Sequence, residues 1–145
     1  MNSAVTDVLI VGFGNPLRSD DAVGLHVVRR LASAGYRVIE TFQLAPELAE
    51  DIAAVRRVIF VDCQVGLAPG EIAVSPVGRN RHADTHLQTP EDLVRLASDV
   101  YGAEPEAFLI GVGPAFLEMG ETLSPVVSAA VSRAIQAVVE LATRE

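Results

Sequence analysis

Apolar strand-like segments alternate along the chain with segments of helical periodicity, and this alternation constrains the fold more than any other feature. Strand-like segments lie at residues 8–12, 37–41 and 58–62, and the first and third have almost no polar side chains. Amphipathic segments typical of helices lie between them, at about residues 19–34 and 46–55. Buried strands joined by helices predict right-handed crossovers and a parallel sheet.

The rest of the chain extends this pattern. Residues 70–76 follow the third strand too closely for a helical crossover, which predicts an antiparallel strand. A capped helix is predicted from Thr89 to about Val100, then a strand at residues 107–112 and a final helix from Ser124. We therefore predict one α/β domain over residues 1–145. It is a three-layer sandwich with a mostly parallel, twisted sheet of about five strands, one antiparallel, and helices on both faces.

Charge and cysteine content exclude several functions. The chain has 11 basic and 19 acidic residues, a net charge of -8 that phosphate backbones would repel, so we expect no nucleic-acid partner. One cysteine excludes an internal disulfide and a zinc site built from several cysteines. Neither a targeting segment nor a membrane span is recognised. We expect a soluble cytoplasmic monomer that does not associate with membranes.

A glycine-rich turn, Gly12-Phe13-Gly14-Asn15-Pro16, joins the first strand to the first helix. Dinucleotide-binding proteins carry their glycine fingerprint at this place, but Leu17 stands where a third small residue is needed. Glu40, at the end of the second strand, is the candidate acidic ligand for a ribose. A non-hydrolytic module that binds a nucleotide or a small anion at the helix N-terminus is therefore one alternative.

Acidic side chains stand at two places where the fold puts strand ends. Ser19, Asp20 and Asp21 are predicted to cap the first helix, but adjacent aspartates point in different directions, so one is free to face the crevice above the sheet. Asp62 ends the third strand. If the first and third strands are neighbours, ligands bind in the crevice between them. Asp21 and Asp62 would then approach each other.

Two histidines, His82 and His86, lie in the irregular stretch before the Thr89 helix. A loop returning over the carboxyl edge of the sheet would bring one imidazole beside the two carboxylates. Two carboxylates and an imidazole suit Zn, Mn or Ni and leave coordination positions open. His26 lies within the first helix, where packing or surface exposure is expected.

Cys63 follows Asp62 directly, which raises a second alternative, a cysteine hydrolase with His86 as base. Nothing nearby in the sequence lowers the pKa of the thiol. A free cysteine at the end of a core strand is more often a small buried apolar residue.

These segments together resemble the hydrogenase maturation proteases, the endopeptidases that finish the large subunit of nickel–iron hydrogenases. The resemblance rests on the run of residues 12–24 that continues past the glycines into Asp20-Asp21, and on the strand that ends at Asp62. It also rests on His86 and on a closing segment, residues 111–125, that begins Gly111-Val112-Gly113-Pro114.

The resemblance implies that Asp21, Asp62 and His86 contact a metal and carry catalysis. It implies an endopeptidase that removes a C-terminal extension from the large-subunit precursor once nickel is installed, and nickel carried by that precursor. Two positions depart from the family. Gln43 lies in the segment after the second strand where better-described relatives carry an acidic residue, and Cys63 stands where alanine is common.

Overall fold

A computed structural model describes residues 7–78 and 88–145 of the chain. Its strands form one five-stranded sheet in the order β2-β1-β3-β5-β4. All neighbours are parallel except β4 and β5, which are antiparallel. The strands are β1 (Val8–Phe13), β2 (Val38–Thr41), β3 (Arg57–Cys63), β4 (Ile72–Pro76) and β5 (Glu106–Val112). The predicted sheet, including its antiparallel strand, is confirmed.

Helices cover both faces of this sheet, which confirms the three-layer arrangement. The helices are α1 (Val23–Ser33), α2 (Leu48–Ala53), α3 (Pro90–Tyr101) and α4 (Pro125–Thr143). α1 and α4 share one apolar core with the sheet, and α2 and α3 share the other. α2 begins two residues later than the predicted start at Pro46, whose position is a turn.

Local sequence explains where α3 begins and ends. The Thr89 hydroxyl accepts a hydrogen bond from the Asp92 N–H at 3.2 Å, and the Asp92 carboxylate accepts one from the Thr89 N–H at 3.1 Å. This reciprocal cap satisfies two N–H groups that the first helical turn leaves unpaired. Gly102, with φ 68°, ends the helix in the left-handed region. The capped start predicted from the sequence is confirmed.

α4 is apolar along its length because it packs into the core of the protein. Within the described part of the chain it is the one helix long and apolar enough to cross a membrane, with 19 residues and a mean hydropathy of 1.4. However, it buries Val127, Val131 and Val138 against the sheet and α1. That packing is the behaviour of a core helix, so its composition alone is weak evidence for a membrane span.

The strand order creates a crevice at the carboxyl ends of β1 and β3. From β1 the chain crosses to β2 on one side, and it then returns to β3 on the other side of β1. The segments after β1 and β3 therefore diverge above the sheet edge, where ligands of such sheets bind. The two strands are in register, with Gly12 opposite Val61, so their carboxyl ends lie side by side.

The first turn of α1 lies unusually close to the sheet at this point. A Cβ atom built on Gly24 would collide with the carbonyl oxygen of Val61. Glycine at this position lets the helix start against the ends of β1 and β3, and the residues just before it are thereby held over the crevice.

Gly24→Ala is therefore expected to lower the free energy of unfolding by about 2 kcal/mol, because the added methyl group overpacks a rigid backbone contact. Urea unfolding measures this change. Gly78→Ala is the matched control, since a Cβ atom there meets nothing within 4 Å. An equal, small effect of both substitutions would contradict the close approach.

Candidate functional site

A cleft of about 710 Å³ opens at the carboxyl ends of β1, β2 and β3. One wall is formed by Phe13 at the end of β1 and by Gly14, Asn15 and Arg18 in the turn after it. The other wall is the segment after β2, residues 42–46. Asp21 and Asp62 both line the cleft. The two aspartates that the strand order was expected to bring together therefore share one site.

Asp21 is presented by a short 3₁₀ turn, Ser19–Ala22, that precedes α1. Gly14, at φ 152°, lets this turn approach, because a Cβ atom there would collide with the backbone carbonyl oxygen of Asp21. The Asp21 carboxylate accepts a hydrogen bond from the Asn15 N–H at 2.9 Å, and the Arg18 guanidinium lies 4.0 Å from its other oxygen. One hydrogen bond leaves the carboxylate with lone pairs for a ligand.

Asp62, near the end of β3, has a strongly raised pKa. Burial and then the negative charge of Asp21 raise its pKa to about 7, although a hydrogen bond from the Cys63 backbone N–H acts in the opposite direction. The two carboxylates therefore repel each other when both are ionised. A cation between them would remove that repulsion, and their oxygen donors suit a hard or borderline divalent metal.

Asp20 points away from the cleft and is completely buried. One oxygen accepts hydrogen bonds from the N–H groups of Ala115 and Phe116, both at 2.9 Å, and from the Ser124 hydroxyl at 2.8 Å. The other accepts one from the Ser124 N–H at 2.7 Å. Burial alone would raise the pKa of Asp20, but these four hydrogen bonds together lower it. Asp20 therefore fixes the 3₁₀ turn to the segment after β5.

The capping roles predicted for these residues are wrong. Neither the 3₁₀ turn nor α1 has a side-chain cap at its start. The Ser19 hydroxyl donates to the Glu118 carbonyl oxygen at 2.8 Å, and the Ser124 hydroxyl donates to Asp20 instead of capping α4. Side chains that the local sequence predicted to cap helices instead form hydrogen bonds with residues about a hundred positions away in the chain.

The glycine-rich turn offers little to a phosphate group. The Gly14 N–H donates to the Thr41 carbonyl oxygen at 3.2 Å, and the Leu17 N–H donates to the Asn15 side chain at 2.9 Å. The Asn15 N–H is held by Asp21, and Glu40, the candidate ribose ligand, pairs with Arg29 at 3.0 Å. The backbone donors that would bind an anion are engaged within the protein, which disfavours the nucleotide or anion alternative.

Cys63 is a poor nucleophile in this environment. Burial, and then the charges of Asp62, Asp21 and Asp20 against that of Arg18, raise the pKa of its thiol to about 12. A thiol in that state carries almost no thiolate at neutral pH. The cysteine-hydrolase alternative is therefore disfavoured.

The third predicted ligand, His86, lies outside the described residues, as does His82. Within residues 7–78 and 88–145, no group of three histidine, cysteine or acidic side chains is placed to hold a metal. A metal role for Asp21, Asp62 and His86 together stays a prediction. Gln88, two residues beyond His86, lines the cleft.

Gln43 and His26 were also considered from the sequence, and the structure places both. Gln43 lines the cleft, where its amide offers a polar contact. His26 is half-buried near the start of α4, and burial and then Arg29 lower the pKa of its imidazole. Arg18, which lines the cleft beside Asp21, was not predicted from the sequence as a site residue. Its place in the same turn was the only sequence feature pointing to it.

A protein family and several solved structures resemble this chain. A family model described as hydrogenase maturation protease (HycI) matches residues 25–141, more than half of the chain. The matched range contains Asp62 and His86 but not the turn that carries Asp21. A search of curated proteins found no significant match.

Several solved structures share the fold over nearly the whole chain. The hydrogenase maturating endopeptidase HybD from E. coli is 26% identical, with a TM-score of 0.78, over 92% of this chain and 90% of that one. The NiFe hydrogenase maturation protease HybD from Thermococcus kodakarensis is 26% identical, with a TM-score of 0.77, over 93% and 98%. The hydrogenase 2 maturation peptidase from a Thaumarchaeota archaeon is 27% identical, with a TM-score of 0.69, over 94% and 99%.

The raised pKa of Asp62 predicts that Asp62→Asn stabilises the metal-free protein at high pH. Between pH 3.8 and about 7 the folded protein keeps a proton that the unfolded chain has lost, so stability falls as pH rises and the loss is complete above pH 7. The gain in unfolding free energy on substitution should be about 1–3 kcal/mol larger at about pH 8 than at about pH 5.

Thermal unfolding in the presence of a chelator measures this difference. Asp99→Asn, at an exposed position on α3, is the matched control and should change the melting temperature little at either pH. A gain for Asp62→Asn that is the same at both pH values would show that Asp62 is not strained by burial and by Asp21.

Proposed function

Because the chain belongs to the hydrogenase maturation protease family, we propose that it removes the C-terminal extension of a nickel–iron hydrogenase large-subunit precursor after nickel insertion. Family and fold together make it a maturation endopeptidase. The finer assignment, that cleavage depends on nickel and that three residues of this chain recognise it, is the proposal.

The observation that carries the proposal is the pair of aspartates in the cleft. Asp21 and Asp62 come from separate segments and line one cavity, and burial, followed by the charge of Asp21, raises the pKa of Asp62 to about 7. Two carboxylates that line one cleft and repel each other when both are ionised are suited to a cation. In the proposed reaction that cation is the nickel of the precursor, whose coordination Asp21, Asp62 and His86 complete.

Two roles for the acids fit the cleft. In the first, Asp21, Asp62 and His86 hold the precursor so that its nickel acts as a Lewis acid on the scissile carbonyl group. In the second, one aspartate orients a water molecule as general base, and Asp62 suits this role because its pKa lies near the operating pH. Neither role needs a covalent intermediate on the enzyme, and the buried thiol of Cys63 takes no part.

The proposed function also names a partner and the source of the metal. The partner is the large-subunit precursor, and nickel belongs to that substrate and is not a resident cofactor of the protease. We expect the protein to act as a monomer in the cytoplasm, with neither nucleic acid nor a membrane as a partner.

Asp21→Ala, Asp62→Ala and His86→Ala should each lower cleavage of nickel-loaded precursor by at least about a hundredfold, because each removes a ligand or the general base. Gel mobility of the precursor measures cleavage, and circular dichroism checks that the fold survives. Nickel-free precursor should stay uncut with the wild-type protein. Full cleavage by all three variants, or equal cleavage of nickel-free precursor, would refute the proposal.

Cys63→Ala separates this function from a cysteine hydrolase. Since the thiol is buried and its pKa is raised to about 12, the variant should cleave nickel-loaded precursor within about twofold of the wild-type rate. Alkylation of the wild-type protein with iodoacetamide should likewise leave the rate unchanged. Loss of cleavage in Cys63→Ala, with the fold retained, would favour the cysteine mechanism.

A further inference from the structure

Large apolar side chains are exposed beside the cleft, where a globular protein has no structural need for them. Leu17 is 52% exposed, Phe116 is 49% exposed and Met119 is 84% exposed. Leu17 directly precedes Arg18, which lines the cleft, and the segment that carries Phe116 and Met119 is bound to the same turn. We call these three residues the apolar rim.

The backbone of the apolar rim is held in place by hydrogen bonds. The Ser19 N–H donates to the Gly120 carbonyl oxygen at 2.9 Å, and the Gly120 N–H donates to that of Leu17 at 3.0 Å. The Arg18 side chain donates to the Leu117 carbonyl oxygen at 3.1 Å, and Asp20 holds the N–H of Phe116. The rim is therefore a preorganised surface, which costs little entropy to order when a partner binds.

We propose that the apolar rim is a docking surface for an apolar patch of the large-subunit precursor beside its C-terminal extension; this inference rests on the proposed function. A folded protein substrate whose scissile bond enters the cleft must cover the adjacent rim. Leucine, phenylalanine and methionine on a fixed backbone suit the buried centre of such an interface, from which charged residues are depleted.

The charges around the rim favour a protein partner over a lipid surface. Glu118 and Glu121 are exposed beside it and outnumber the half-exposed Arg18, and the whole chain carries a net charge of -8. Acidic side chains at this position would be repelled by anionic lipid headgroups. They would attract basic side chains that border an apolar patch on the precursor.

The cleft also has an apolar residue on the wall that follows β2. Phe42 is 57% exposed and lines the cleft itself. The extension to be cleaved would therefore pass between Phe42 and the turn that carries Arg18, with the body of the precursor on the apolar rim. Affinity for the precursor then has a source that is independent of its nickel.

The test compares two matched double variants in cleavage of nickel-loaded precursor at varied concentration. Phe116→Ser with Met119→Ser removes two of the three rim side chains. Val100→Ser with Tyr101→Ser removes side chains of similar exposure, 61% and 50%, at the end of α3, where the chain leads into the start of β5. The rim variant should lower kcat/KM at least about tenfold through a higher KM. The control should match the wild-type protein, and Phe116→Leu with Met119→Leu should restore the wild-type KM.

Each other outcome overturns a distinct claim. If the wild-type protein cleaves and the rim variant keeps its KM, the docking surface is wrong while the proposed function stands. If the wild-type protein does not cleave nickel-loaded precursor, both fail together. Analytical ultracentrifugation of the protease alone tests whether a second copy of the chain occupies the rim. If the wild-type protein is a dimer, the rim variant is a monomer and KM is unchanged, the rim is a dimer interface and the proposed docking surface is wrong.

Discussion

The buried carboxylate of Asp20 is the interaction on which the geometry of the cleft depends. It accepts four hydrogen bonds from three residues of a segment about a hundred positions further along the chain, at Ala115, Phe116 and Ser124. A charged group without these partners could not be buried so completely. With them, it fixes the turn before α1, and its neighbour Asp21 is directed into the cleft. The same contacts hold the apolar rim, so Asp21 and the proposed docking surface belong to one rigid unit.

The two aspartates of the cleft illustrate how function opposes stability in this fold. Asp62 lies at the end of a core strand, where burial and the charge of Asp21 both disfavour its ionised form. A protein selected for stability alone would place a neutral side chain there. Protonation of Asp62 below about pH 7 relieves this strain, and under the proposed function the cation carried by the substrate would relieve it at higher pH.

The sequence was sufficient to predict the layers of the fold and the convergence of Asp21 with Asp62. Both follow from strand order, because apolar strands joined by helices form a parallel sheet and neighbouring strand ends share an edge. The role of Asp20 could not be predicted, since a carboxylate at a helix start has the same local sequence whether it caps the helix or binds a distant loop. The role of Arg57 could not be predicted either, because its partners, the last turn of α4 and Glu106, are distant in the sequence. Its buried guanidinium donates hydrogen bonds to both.

Nickel K-edge X-ray absorption on the loaded precursor tests the central claim most directly, because it observes the metal itself. Freezing the wild-type protease with this precursor before turnover should add oxygen or nitrogen neighbours to the nickel coordination sphere. With a double variant, Asp21→Ala and Asp62→Ala, the spectrum should stay that of the precursor alone. Identical nickel spectra for the wild-type protein and the double variant, in samples where the precursor is bound, would show that the cleft does not recognise its substrate through the metal.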